Sequence, residues 1–157
     1  MISPAIHLGH KLDPATLDSL ADFICGDGDR FPVYRSSSYL TRFFQNVGIN
    51  ATHDGSTRKW WVLEVLKQLH PSDLEKVILR LVDMREYKGV RDDLKLAARS
   101  MNDILAMDNL AIGFNGSQPL LRRAETMALD ESEIFSAIPA KWQVFKAAFN
   151  QIKASNN

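Results

Sequence analysis

"LAIGFNGSQPLLRR", residues 110–123, is where the hydrophobic period of this chain changes from helical to alternating. Leu110, Ile112 and Phe114 occupy every second position, Asn115-Gly116 follows, and the apolar pattern resumes at Leu120. Alternation puts such residues on one face of a strand, and Asn-Gly adopts the positive backbone angles of a tight turn. The stretch predicts a β-hairpin. Pro119 has no N–H to give to a ladder, so the second strand belongs at an edge. Immediately upstream, Leu94, Ala97, Ala98, Met101 and Leu105 recur at helical spacing. A helix followed by a hairpin is also how a winged-helix domain ends, with the hairpin as wing.

Further upstream the pattern is helical throughout. Asp13-Pro14 reads as an N-cap with proline at the first helical position, ahead of Leu17, Leu20, Ala21 and Ile24. "CGDGDRFP" ends that helix. Ser36–Ser38 can cap a second helix, with Leu40, Phe43, Phe44 and Val47 as its apolar stripe. Asp54 or Ser56 opens a third, running to about Leu69. Ser72 and Glu75 have the spacing of a capping box at the start of a fourth, which buries Leu74, Val77, Ile78 and Leu81. Downstream of the hairpin, Asp130 and Pro139 mark two more starts, and Trp142, Phe145, Phe149 and Ile152 form a last stripe. The expected fold is mainly α: about seven helices around one core with a single β-hairpin. Residues 1–125 form the helical domain with its hairpin; residues 126–157 either pack on it or lead to a linker.

Composition narrows the function classes. One domain of 157 residues is long enough to bury a core without metal or disulfide staples. Lys+Arg and Asp+Glu are 19 each, so no global charge draws the chain to nucleic acid or an anionic membrane. Cys25 stands alone and reads as a small buried hydrophobe in a reducing cytosol. There is no apolar run of membrane-spanning length and no signal-peptide pattern, so a cytoplasmic location is expected.

No catalytic constellation is visible. The four histidines are scattered, and His7 and His10 have no acidic or cysteine neighbour to complete a metal site. "CGDGD" lacks the lysine of a phosphate loop and the spacing of a calcium loop. The arginine-to-histidine spacing of a helical HEPN ribonuclease is also missing. Neither enzyme activity, metal nor cofactor is expected.

Two features stand above this background. Residues 30–70 carry six cations, among them Arg35, Arg42, Arg58 and Lys59, against two acids, which leaves net +4 here and −4 elsewhere. The same stretch is rich in aromatics. In "DGSTRKWWVLEVLKQL", residues 54–69, Trp61, Val62, Val65, Leu66 and Leu69 cluster on one side of a helix. Trp60 falls opposite, beside Glu64 and Lys67, so Trp61 is expected inside and Trp60 at the surface. Arg58 and Lys59 sit in the first turn, where the helix dipole disfavours cations. A carboxylate such as Asp54, or a bound anion, should offset them. The second feature is Arg91, Lys95 and Arg99 at four-residue intervals, a cationic stripe tempered by Asp92, Asp93 and Asp103.

Three stretches, "YRSSSYLTRFFQNVG" (34–48), "HDGSTRKWWVLEVLKQL" (53–69) and "LVDMREYKGVRDDLKLAARSMNDILAMDNLAI" (81–112), resemble an N-terminal domain of bacterial abortive-infection proteins of the AbiJ kind. The resemblance covers roughly residues 15–125. It implies a non-catalytic sensing, regulatory or assembly module in anti-phage defence, attached to an effector such as a HEPN-like nuclease. The family supplies no binding residues to carry over. The expected partner or anion contacts are therefore Arg35, Arg42, Arg58, Lys59 and Trp60. The alternative is nucleic-acid binding through Arg91, Lys95 and Arg99.

Overall fold

A computed structural model describes residues 4–124. The first helix, α1, spans Pro14–Cys25; the Asp13 carboxylate accepts from the Ala15 N–H at 2.8 Å, and Pro14 takes the first helical position. The chain leaves α1 through Gly26 at φ +74°, where a side chain would also bring its Cβ to 1.8 Å from the Val33 carbonyl oxygen. This close approach lets the Arg35 N–H reach the Cys25 carbonyl at 2.9 Å. Helix α2 (Ser37–Asn46) is capped by the Ser36 hydroxyl and buries Leu40, Phe43 and Phe44.

Two helix starts differ from expectation. Helix α3 spans Arg58–Gln68, and its N-cap Thr57 makes no side-chain hydrogen bond. Asp54 instead accepts from the Ser56 N–H at 2.9 Å and fixes the turn before the helix. Helix α4 spans Pro71–Leu81 and is capped by His70, not by Ser72. Pro71 explains this, since proline is favoured at the first helical position, one residue after the cap. Glu75 is drawn off to the Leu8 N–H at 2.7 Å and His7 at 3.1 Å, tying the N-terminal segment to α4.

A 3-10 turn at Met84–Tyr87 leads to α5 (Arg91–Leu105). The hairpin forms, with its turn one residue later than expected: β1 (Leu110–Asn115) pairs antiparallel with β2 (Gln118–Arg123), Ile112 opposite Leu121 and Phe114 opposite Pro119. Because Asn115 pairs with Gln118, the turn is Gly116-Ser117, with Gly116 at φ +63°. Ile6 bridges to Leu121 on the far side of β2. The root of the hairpin lies in the core, with Leu110, Ile112 and Leu121 all buried, while the tip at Asn115–Gln118 is exposed.

Five α-helices are thus present among the described residues, and seven is an overcount for them. The two starts at Asp130 and Pro139, like the segment 126–157, lie outside the described residues. The mainly helical class with one hairpin stands. Helix α1 packs on both α3 and α5, and α5 packs on β1. Trp61 is buried edge-on to Phe44, ring centroids 5.6 Å apart, while Trp60 keeps 60% of its surface exposed. The core extends further round α3 than the stripe suggested: Leu63 is buried as well, whereas Val65 and Leu69 are only partly covered. No described helix is long and apolar enough to cross a membrane.

Gly26 carries two demands at once, a left-handed backbone and no Cβ against Val33. Gly26→Ala is expected to destabilise the protein by at least about 3 kcal/mol, more than the usual cost of positive φ alone. Urea unfolding monitored by tryptophan fluorescence measures it; a loss under about 1 kcal/mol would mean the loop can relax freely.

Candidate functional site

The cations at the start of α3 are held by the protein itself. Arg58 Nε donates to the Arg35 carbonyl at 3.0 Å. Its Nη1 reaches both oxygens of Asp27 at 3.1 and 3.2 Å. Its Nη2 donates to the carbonyls of Cys25 at 2.7 Å and Arg35 at 2.6 Å. A guanidinium has five N–H donors in a fixed fork, and here each of its three nitrogens has at least one acceptor. The group also stacks over Tyr34, 4.2 Å from the ring centroid. Lys59 pairs with Asp18 at 3.2 Å and Asp22 at 3.1 Å, both on α1. Hydrogen bonds to Asp22 and Asp18 raise its pKa above the ordinary lysine value. The dipole mismatch is therefore offset by carboxylates of α1 and the loop after it, not by Asp54.

Arg35 lies deeper still. It is fully buried, and its Nε and Nη2 donate to Glu86 Oε1 at 3.3 and 3.0 Å. Its Nη1 donates to the Ile24 carbonyl at 3.1 Å, and its plane lies 4.9 Å from the Phe43 ring centroid. Arg80 Nε reaches the other Glu86 oxygen at 2.8 Å, and the Tyr39 hydroxyl donates to Oε1 at 3.4 Å. One buried carboxylate thus gathers two guanidinium groups and a phenol. Burial, and then the Glu86 charge, push the Tyr39 pKa up.

Of the expected contact residues, α3 and its neighbours bring Arg35, Arg58 and Lys59 together, but in inward-looking roles. Arg35 has no surface to offer, and every nitrogen of Arg58 is already engaged within the protein. Arg42 is exposed on α2 and takes no part in either network. Trp60 is the large apolar side chain that α3 presents to solvent, on a face shared with Glu64 and Lys67. On α5, Arg91 and Arg99 are exposed and Lys95 is half-buried. Glu86 carried no signal in the sequence. An acid in "REYKG" looks like any turn residue until the fold places Arg35 and Arg80 against it. Tyr34 was likewise counted only among the aromatics, yet it keeps 59% of its surface exposed over Arg58.

Burial pushes the Cys25 thiol up to about 11, against the opposing charge of Arg58, so it stays protonated and unreactive at neutral pH. Among the described residues no cluster of three His, Cys, Asp or Glu side chains could hold a metal ion. With this geometry in hand, comparison with protein-family models, curated proteins and solved structures finds no match to the chain.

Removing one partner of a buried ion pair strands the other charge, which typically costs about 3–5 kcal/mol. Glu86→Ala leaves Arg35 in that position and is expected to cost at least as much by urea unfolding, whereas Lys59→Ala, at a half-exposed pair, should cost under about 1 kcal/mol. Equal effects would contradict this ranking. Asp83 supplies a pH test. Its carboxylate accepts from the Arg85 N–H at 2.8 Å and from the Arg85 guanidinium at 3.0 and 2.7 Å, which holds its pKa below the ordinary value. A lowered folded-state pKa adds stability above the unfolded value of about 3.9 and loses it as pH falls through the folded one. The stability gap between wild type and Asp83→Asn should therefore be constant from neutral pH to about 5 and close below about 4.

Proposed function

We propose that this domain is a non-catalytic regulatory or assembly module of a bacterial anti-phage defence protein, cytoplasmic, and acting through contact with an effector domain or partner protein. The reading rests on the resemblance of residues 34–48, 53–69 and 81–112 to the N-terminal domain of AbiJ-type proteins. The single observation that supports a contact surface is Trp60. A tryptophan at 60% exposure, centred on a helix whose other side is core, offers much apolar area at little cost in side-chain entropy. Such residues dominate binding energy where a partner supplies a pocket. Glu64 and Lys67 flank it and pair with each other at 3.5 Å, which gives the indole a polar rim. Arg42 is the cation of the expected set still available to a partner.

Arg35, Arg58 and Lys59 serve this surface indirectly. They fix the end of α1 and the start of α3, so Trp60 projects from a rigid element and little ordering is needed on binding. The partner this surface fits has an apolar pocket of indole size bordered by polar groups.

The test pairs the domain with the effector encoded in the same reading frame or beside it. In isothermal titration, Trp60→Ala should weaken binding by at least about 2 kcal/mol, roughly 30-fold, with an unchanged melting temperature. Arg42→Ala should have a smaller effect that fades at high salt. An affinity unmoved by both substitutions would remove this face from the proposal.

A further inference from the structure

A second surface, which does not include Trp60, lies where α5 begins. The turn before it and the tip of the hairpin enclose an open cleft of about 550 Å³, lined by Arg85, Lys88, Gly89, Ser117 and Gln118 over Asp83 and Met84. Asp83 turns its carboxylate to Arg85, so the acid at this cleft is already neutralised. From the cleft a row of cations runs along the outer face of α5. At 100° per residue, Arg91, Lys95 and Arg99 fall within an arc of about 80°, and successive members rise about 6 Å along the axis.

Lys88, Arg91 and Arg99 are exposed and make no ion pair with any described residue. Lys95 sits between them, half-buried and already engaged in an interaction of its own. Burial, and then the charge of Arg99, lower its pKa against the opposing charge of Asp92. Among the described residues the acids of this helix are Asp92 and Asp103, both exposed on the flank of the arc beyond Arg99, and Asp93, half-buried in the first turn. They temper the row without interrupting it. Among the described residues the face presents Val90 but no exposed aromatic, so these residues supply neither the usual anchor of a protein interface nor a platform for stacking bases.

We infer that the cleft between the hairpin tip and the turn before α5, continued by Lys88, Arg91 and Arg99, docks the phosphodiester backbone of a nucleic acid. The repeat of the cations suits a linear chain of charges. A single small anion would engage the cleft and leave the rest of the row unused. Ser117 and Gln118, both exposed at the tip, add neutral donors to phosphate oxygens on the opposite wall. The contact is to phosphate, so it is independent of sequence and sensitive to salt.

Fluorescence anisotropy of the full chain with a labelled DNA duplex and with a labelled single strand tests this. Three to four phosphate contacts predict that duplex affinity falls roughly 40- to 150-fold between about 50 and 200 mM salt. The triple variant Lys88→Glu, Arg91→Glu, Arg99→Glu should lose binding, while Trp60→Ala should bind as wild type does, which separates this surface from the one above. A melting curve establishes that the triple variant is folded. Should it not fold, the exposed single substitution Arg99→Gln is expected to flatten the log–log salt slope by about 0.9. Binding without salt dependence, full binding by a folded triple variant, or an unchanged slope in Arg99→Gln would each overturn the inference. So would displacement of the duplex by an equimolar amount of ATP, which would assign the cleft to a small phosphate ligand.

Discussion

Everything in this domain is arranged around the carboxylate of Glu86. It comes from a short turn between α4 and α5, yet it accepts from Arg35, 51 residues earlier, from Arg80 on α4 and from Tyr39 on α2. A charge this deep is tolerable only when its lone pairs are filled. Here both oxygens have donors, and Arg35 in turn donates from Nη1 to the last turn of α1. Polar groups thus set where four elements meet, while Leu20, Ile24, Phe43 and Leu81 supply the apolar area around them. Such a cluster adds little net stability over a hydrophobic one. Its geometric effect is to tie α1, α2, α4 and the turn before α5 to one point.

Much of the architecture was legible because it rests on local rules. The caps at Asp13 and Ser36, the presence of the hairpin and the inward position of Trp61 follow from short-range chemistry and periodicity, although the turn itself falls one residue later than Asn115-Gly116, at Gly116-Ser117. The errors arose where two local rules competed. Ser72 and Glu75 fit a capping box, but Pro71 shifts the cap to His70 and frees Glu75 for the N-terminal segment. Asp54 could cap α3 and instead closes a turn with Ser56.

The site was legible in composition and illegible in partnership. The excess of cations over residues 30–70 is real, and its first explanation proves to be internal. Arg58 meets Asp27, Lys59 meets Asp18 and Asp22, and Arg35 meets Glu86, all at long range in sequence. No spacing rule connects such pairs, because only the folded chain brings them together. Trp60 is the exception. Its exposure follows from a single angle on a helical wheel, and so a sequence suffices to place it.

The way Arg58 is held bears on how the chain folds. One guanidinium joins the end of α1, the segment at Arg35 and the start of α3, across separations of 23 to 33 residues. None of these bonds can form until two loops have closed, so their enthalpy arrives late, after the entropy of closure has been spent. The bonds from Arg35 and Tyr39 to Glu86 then span α2 through α4 in the same manner. Halves of a chain stitched in this way are not expected to stay ordered apart. The amide protons over α1 to α4 are therefore expected to exchange as one cooperative unit, not helix by helix.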